Sequence, residues 1–203
     1  MVRVAMMFVA GTSLKWLAAG AAGAVVFVLV YITFMGYAGD RVTAWLHPEG
    51  DPADTGYQIL QSLYAIGSGG VFGLGFLKSR QKYLYLPFQY NDYIFAILCE
   101  ELGLFGAVLV IALFGATLLR GYWIALRARD RFSTVLASGL VTLIAVQTIL
   151  NLAVVTNLLP STGIALPFFS YGGTALAVNL GEMGIVLGIS RYTNAEKIQE
   201  VIL

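Results

Sequence analysis

A chain of 203 residues that is 59% hydrophobic and only 11% charged, with a mean hydropathy of +0.81, is too apolar for an ordinary soluble domain and reads as an integral membrane protein. The formal charge of +1, carried by short basic clusters beside apolar runs, excludes a nucleic-acid partner. The one cysteine, Cys99, has no internal partner for a disulfide and sits in an apolar run as a packing residue.

In chain order, Arg3 and Lys15 precede a charge-free run from Trp16 to Gly39, long enough to cross a bilayer of about 30 Å. It is too long for a cleavable signal and has no small-residue cleavage site. The spans expected are 16–38, 93–119, 133–155 and 172–190, joined by a long loop over 39–92 and a shorter one over 156–171. The fold class is therefore an all-α membrane domain of four transmembrane helices. Inside the long loop, Tyr57, Leu60, Leu63 and Tyr64 recur at helical spacing with Thr55 as a capping residue, which predicts a short amphipathic helix. Five glycines follow between Gly67 and Gly75. They suit either close backbone approach or a flexible loop, and they match neither a phosphate-binding P-loop nor a dinucleotide fingerprint.

Arg120, Arg127, Arg129 and Arg131 lie between the second and third spans, while the Pro160 loop carries no basic residue. The positive-inside rule then puts both termini and the arginine cluster in the cytoplasm and the long loop and the Pro160 loop outside. Lys78, Arg80 and Lys82, with Gln81 between them, suit either anionic lipid headgroups or a phosphate-bearing ligand. Asp92, just before an apolar helix, reads as an N-cap or as a reactive carboxylate. Glu100 and Glu101 are adjacent, so they point about 100° apart and cannot share one partner. A structural hydrogen bond or ion pair suits them better than proton transfer. Glu182, near the middle of the last span, needs a partner that the sequence does not name.

The runs GYQILQSLYAIGSGGVFGLGF, SRQKYLYLP, NDYIFAILCEELG and LLPSTGIALPFFSYGGTALAVNLGEMGIVLGISR, in this order, resemble the shape, elongation, division and sporulation family typified by FtsW, RodA and SpoVE. The FtsW and SpoVE branch is the nearer. Members usually have about ten membrane helices, whereas this chain has room for four by the spanning-length argument, so it resembles a C-terminal half beginning just before the seventh. The family commonly has an acid after the LP of the long loop, where this chain has Phe88.

The resemblance implies a bacterial plasma-membrane glycosyltransferase of division, elongation or sporulation that polymerises lipid II and releases undecaprenyl pyrophosphate. Asp92 matches the family's essential aspartate and would take the proton of the attacking hydroxyl. Lys78, Arg80, Gln81 and Lys82 become the candidates for the pyrophosphate, and Thr162 and Ser170 of the Pro160 loop the candidates for further substrate contact. No residue is assigned as a metal ligand, although the chemistry admits a divalent cation such as Mg2+ at the pyrophosphate. Expected partners are membrane lipids and a class B penicillin-binding protein, the transpeptidase. A non-catalytic scaffold and a transporter of the lipid-linked precursor are the competing readings.

Overall fold

The computed structural model describes residues 36–50, 55–81 and 90–202, with scattered positions between 6 and 26. All regular structure among the described residues is helical: α1 (Gly36–Leu46), a single 3-10 turn (Pro48–Gly50), α2 (Thr55–Gly69), α3 (Ile94–Leu126), α4 (Arg131–Val155) and α5 (Gly173–Ile202). Helices α3 and α4 and the Gly173–Tyr192 part of α5 are each long and apolar enough to cross a membrane. They are the second, third and fourth expected spans. The first expected span, 16–38, lies mostly outside the described residues, among which three candidate spans are seen.

Helix α3 runs to Leu126, past the predicted end at 119, because Arg120 does not stop it. Its long side chain folds over the Trp123 ring, with Cζ 4.2 Å from the ring centroid, and leaves the backbone helical. Helix α4 starts where Asp130 accepts hydrogen bonds from Ser133 N (2.9 Å) and Ser133 Oγ (2.7 Å), which satisfies an otherwise unpaired donor of the first turn. These bonds hold the exposed Asp130 carboxyl below the usual carboxylate range. The tail beyond 190 continues as helix α5.

Helix α2 is present where expected, and the face it packs lies away from Tyr57, Leu60 and Tyr64. Its buried residues are Gly56, Ile59, Ser62, Ala65 and Gly69, whereas Tyr64 is exposed and Tyr57, Leu60 and Leu63 are half-buried. The small residues of that face let the α2 backbone approach its neighbours closely. The Ser62 hydroxyl donates to Val155 O at 2.8 Å, tying α2 to the end of α4. Helix α3 likewise buries Gly106, Ala107 and Gly121, and a Cβ on Gly121 would press against Val141 of α4.

The glycine run 67–75 is a close-approach segment. Helix α3 is broken at Gly103, with φ 67° and ψ −164°. The broken backbone pairs with the loop: Leu74 N donates to Glu100 O (2.9 Å), Gly75 N to Glu101 O (3.0 Å), Leu104 N to Gly70 O (2.9 Å) and Phe105 N to Val71 O (3.2 Å). A side chain on Gly69 or Gly73 would run into the carbonyl oxygens of Cys99 and Glu101, and one on Gly103 into the backbone of Val71 and Gly73. Val71, Phe72, Phe76 and Leu77 remain exposed around this ladder. Non-helical backbone at membrane depth is tolerated where its polar groups are paired within the protein, as they are here.

Gly73 has φ 77°, so Gly73→Ala combines a backbone clash with a left-handed strain of about 1–2 kcal/mol. It should lower the thermal midpoint in detergent and make Lys78 and Arg80 more readily cleaved by trypsin. Unchanged cleavage would show that the ladder does not hold this loop.

Candidate active site

Asp92 occupies the turn before α3. Tyr93 is the N-cap residue, with no side-chain cap hydrogen bond. Among the described residues none donates to the Asp92 carboxylate, so the capping role open to it in the sequence is not realised. The group is half-buried, and burial alone pushes its pKa above the ordinary carboxylate value.

The Pro160 loop forms one wall. A Cβ on Gly163 would lie 3.6 Å from Asp92 Oδ2, and Gly163 has φ 70°. Asn151, buried in α4, locks loop and turn together: its Nδ2 donates to Asp92 O (2.7 Å) and to Ile164 O (2.8 Å). Ser170 Oγ donates to Asn91 O (2.5 Å) and accepts from Leu166 N (2.7 Å), while Tyr171 N donates to Tyr90 O (2.7 Å). The loop is tied from the other side by Arg41, which donates to Ser161 O (2.9 Å), and by Trp45, whose Nε1 donates to Asn157 O (3.0 Å). Phe168 takes a left-handed φ of 66° within it, a strain that the surrounding bonds must hold.

The basic loop has its own post. Glu100 is 1% exposed, and its carboxylate accepts from Ser79 Oγ, Arg80 N (3.0 Å), Gln81 N (3.3 Å) and, more weakly, Ser68 Oγ (3.5 Å). The structural hydrogen bond expected of this acid is therefore present. Glu101, also buried, passes its carbonyl to Gly75. Asp92 and Glu100 are eight positions apart, roughly 12 Å at helical rise, so the Arg80 backbone is anchored about two turns from Asp92.

The site residues expected from sequence do not all meet. Asp92 and the Pro160 loop are together; Lys78 and Arg80 are exposed on the loop held by Glu100. Gln81 turns inward, its Oε1 buried without a donor among the described residues. Thr162 is exposed, whereas Ser170 spends its hydroxyl on the protein. Lys82 and Phe88 lie outside the described residues. Asn151, Arg41 and Trp45 escaped the sequence reading. For Asn151 a signal existed, an amide inside an apolar span, which needs internal partners; for Arg41 and Trp45 the contacts are with residues more than a hundred positions away, and no local pattern reports them.

Beside the Pro160 loop, between α4 and α5, lies a cavity of about 500 Å³ lined by Gln147, Ile164, Leu166, Ser170, Thr174 and Asn179 among others. It falls in the range of small-molecule sites, roughly 300–1,000 Å³.

A family profile of FtsW, RodA and SpoVE cell cycle proteins matches residues 1–195. The chain belongs to the FtsW/RodA/SpoVE family. It is 50% identical over 157 residues to stage V sporulation protein E of Bacillus subtilis, covering 77% of this chain and 43% of that one. It is 42% identical over 189 residues to a probable peptidoglycan glycosyltransferase FtsW of Trichlorobacter lovleyi, covering 93% and 50%. Among solved structures it superposes on a chain from a peptidoglycan synthase complex that coordinates polymerization and crosslinking, with TM-score 0.75 and 28% identity, covering 92% of this chain and 52% of that one. Membership of the FtsW/RodA/SpoVE family and the helices seen here make this a multi-pass membrane protein. The chain spans about half the length of the relatives it matches.

Two substitutions separate the roles. The raised Asp92 pKa means that the fold favours the protonated acid, so ionisation opposes folding increasingly as pH rises from the unfolded value near about 3.9. Asp92→Asn should therefore leave the thermal midpoint at neutral pH equal to or above wild type; a clear drop would reveal a structural bond to the carboxylate. Glu100→Gln puts an amide donor against the donors of the loop, and losing a buried charge-assisted network costs several kcal/mol, about 3–5. It should raise trypsin cleavage at Lys78 and Arg80 while the helix content by circular dichroism is kept.

Proposed function

We propose that this chain carries the catalytic end of a peptidoglycan glycosyltransferase that polymerises lipid II. The observation that carries the reading is the Asp92 carboxylate: half-buried, raised in pKa, without a donor among the described residues, and fixed in place through its backbone by Asn151. A general base needs this combination, since a raised pKa brings proton affinity nearer to the working pH and a clamped backbone sets its reach. In the proposed reaction Asp92 takes the proton of the sugar hydroxyl of one lipid II as that oxygen bonds to the anomeric carbon of the other. The bond from that carbon to the pyrophosphate breaks, and undecaprenyl pyrophosphate leaves with the bonding pair.

Lys78 and Arg80, on the loop posted by Glu100, would meet the developing negative charge. The cavity beside Ile164 and Ser170, mostly apolar in its lining, would take part of the lipid substrate. No three His, Cys, Asp or Glu side chains cluster among the described residues. A Mg2+ ion held by the substrate's own phosphates and water would screen the departing pyrophosphate and leave the Asp92 carboxylate free to act as the base. The relatives named as peptidoglycan glycosyltransferases and the likeness to a chain of a synthase complex support this activity and a class B penicillin-binding protein as partner.

The test is polymerisation of lipid II by the membrane-reconstituted chain, together with the remaining half of the family fold. Asp92→Asn should lower the rate by about 100- to 10,000-fold with the fold intact. Wild-type rates from Asp92→Asn would remove Asp92 as the base, and an inactive complemented wild type would favour a scaffold. For topology we propose that Asp92 and the Pro160 loop face outward and the arginine cluster inward. Cysteine placed at Thr162 should label in intact cells and cysteine at Phe132 only after permeabilisation; the reverse pattern would invert the orientation.

A further inference from the structure

The end of α3 away from Asp92 holds an organised cationic site that the glycosyl-transfer chemistry does not use. Two guanidinium groups lie over the single indole of Trp123, with Cζ of Arg127 3.7 Å and Cζ of Arg120 4.2 Å from the ring centroid. The positions 120, 123 and 127 follow one face of the helix. Two like charges on one ring are well inside the Debye length of about 10 Å at 0.1 M salt, so they repel. Among the described residues no carboxylate pairs with either arginine, and Asp130, close by in sequence, has both oxygens on Ser133 at the start of α4.

The partial negative charge of the helix C-terminus offsets some of this repulsion. It does not account for the groove alongside. Between α3 and α5 a cleft of about 320 Å³ is walled by Ala116, Gly121, Ile124, Met183 and Leu187, with Arg120 in its side. Thr117 turns its hydroxyl back to Leu113 O at 2.8 Å, so it offers the cleft no free donor. An apolar slot with a guanidinium in its wall and a second guanidinium just past its end matches one class of molecule in shape and charge. A phosphodiester fits the planar forks of the arginines, and a hydrocarbon chain fits the slot. The Trp123 ring, 39% exposed, belongs at the membrane interface, where tryptophan is enriched.

We propose that Arg120, Arg127 and Trp123, with the α3–α5 groove, form a binding site for an anionic glycerophospholipid of the leaflet away from Asp92. Its phosphodiester lies between the two arginines and one acyl chain lies along the groove toward Ala116. The site is independent of the glycosyltransferase reading, because no group near Asp92 takes part in it.

The test uses the full chain in phosphatidylcholine bilayers containing a minor fraction of phosphatidylglycerol. Acyl-chain bromine is placed on one lipid or the other, and Trp16 and Trp45 are replaced by Phe so that Trp123 reports alone. Brominated phosphatidylglycerol should quench Trp123 well beyond its share of the bilayer. Arg120→Gln with Arg127→Gln should remove the preference, roughly fivefold for each arginine. Native mass spectrometry with all three tryptophans in place gives the same comparison without the Phe substitutions: phosphatidylglycerol adducts retained over phosphatidylcholine, and lost in the double Gln variant. Excess soluble glycerol phosphate should leave the quenching unchanged, since it lacks the chain that the groove holds. Equal quenching by the two lipids, or a preference that survives the double substitution, overturns the proposal, as does displacement by glycerol phosphate, which would make this an anion site with no acyl slot.

Discussion

The break at Gly103 is the constraint on which the rest of the site depends. A backbone amide or carbonyl left unpaired in hydrocarbon costs several kcal/mol, so α3 can open at membrane depth only if another segment supplies partners. The glycine run supplies them through four backbone hydrogen bonds, and it can come that close only because Gly69, Gly73 and Gly103 have no Cβ. Once this ladder is in place, the chain leaving it passes directly over the turn of α3 that bears Glu100. The buried carboxylate then gathers the backbone of Arg80 and Gln81. One helix break therefore fixes both the height of the loop and the position of its basic residues.

Much of this was readable from residue order, and what was not has physical causes. The three spans among the described residues followed from apolar length, and the Asp92 turn from a charge at the mouth of an apolar run. The glycine run was ambiguous because close approach needs two participants, and the second, Gly103, looks in sequence like any glycine within a membrane helix. The buried face of α2 was not named by the sequence for a related reason. Large apolar residues at helical spacing stand out in a sequence, whereas the face α2 packs is the one with Gly56, Ser62, Ala65 and Gly69, whose small side chains let backbones approach. Asn151 was passed over since its two acceptors, Asp92 O and Ile164 O, are brought together only by the tertiary fold.

Helix α5 carries a different message. Of its apolar residues, Leu176, Val178, Leu180, Ile185 and Leu187 are exposed, while Asn179, Glu182 and Val186 form a buried stripe among the described residues. Exposed leucine is at home in lipid; a buried carboxylate oxygen is not, and Glu182 Oε2 finds no donor among the described residues. Since the chain spans about half the length of its relatives, the groups that complete this stripe in the family fold need not belong to the segment present here. The Asp92 site is different in this respect, because its clamps at Asn151, Ser170 and Arg41 are all internal.

The turn that bears Asp92 is built without use of its carboxylate. Around Asp92 the protein spends its hydrogen bonds on backbone: Asn151 holds Asp92 O, Ser170 holds Asn91 O and Tyr171 holds Tyr90 O, three consecutive carbonyls of one turn. None of these bonds touches the Asp92 carboxylate. A turn fixed through its carbonyls keeps its shape whether the side chain is ionised, protonated or engaged with a ligand. The cost of burying the acid then falls on the side chain alone, where it appears as raised proton affinity. Had the carboxylate itself capped α3, the same bonds that steadied the turn would have lowered its pKa and occupied its lone pairs. Holding the backbone instead of the side chain is thus the arrangement that leaves this one acid available.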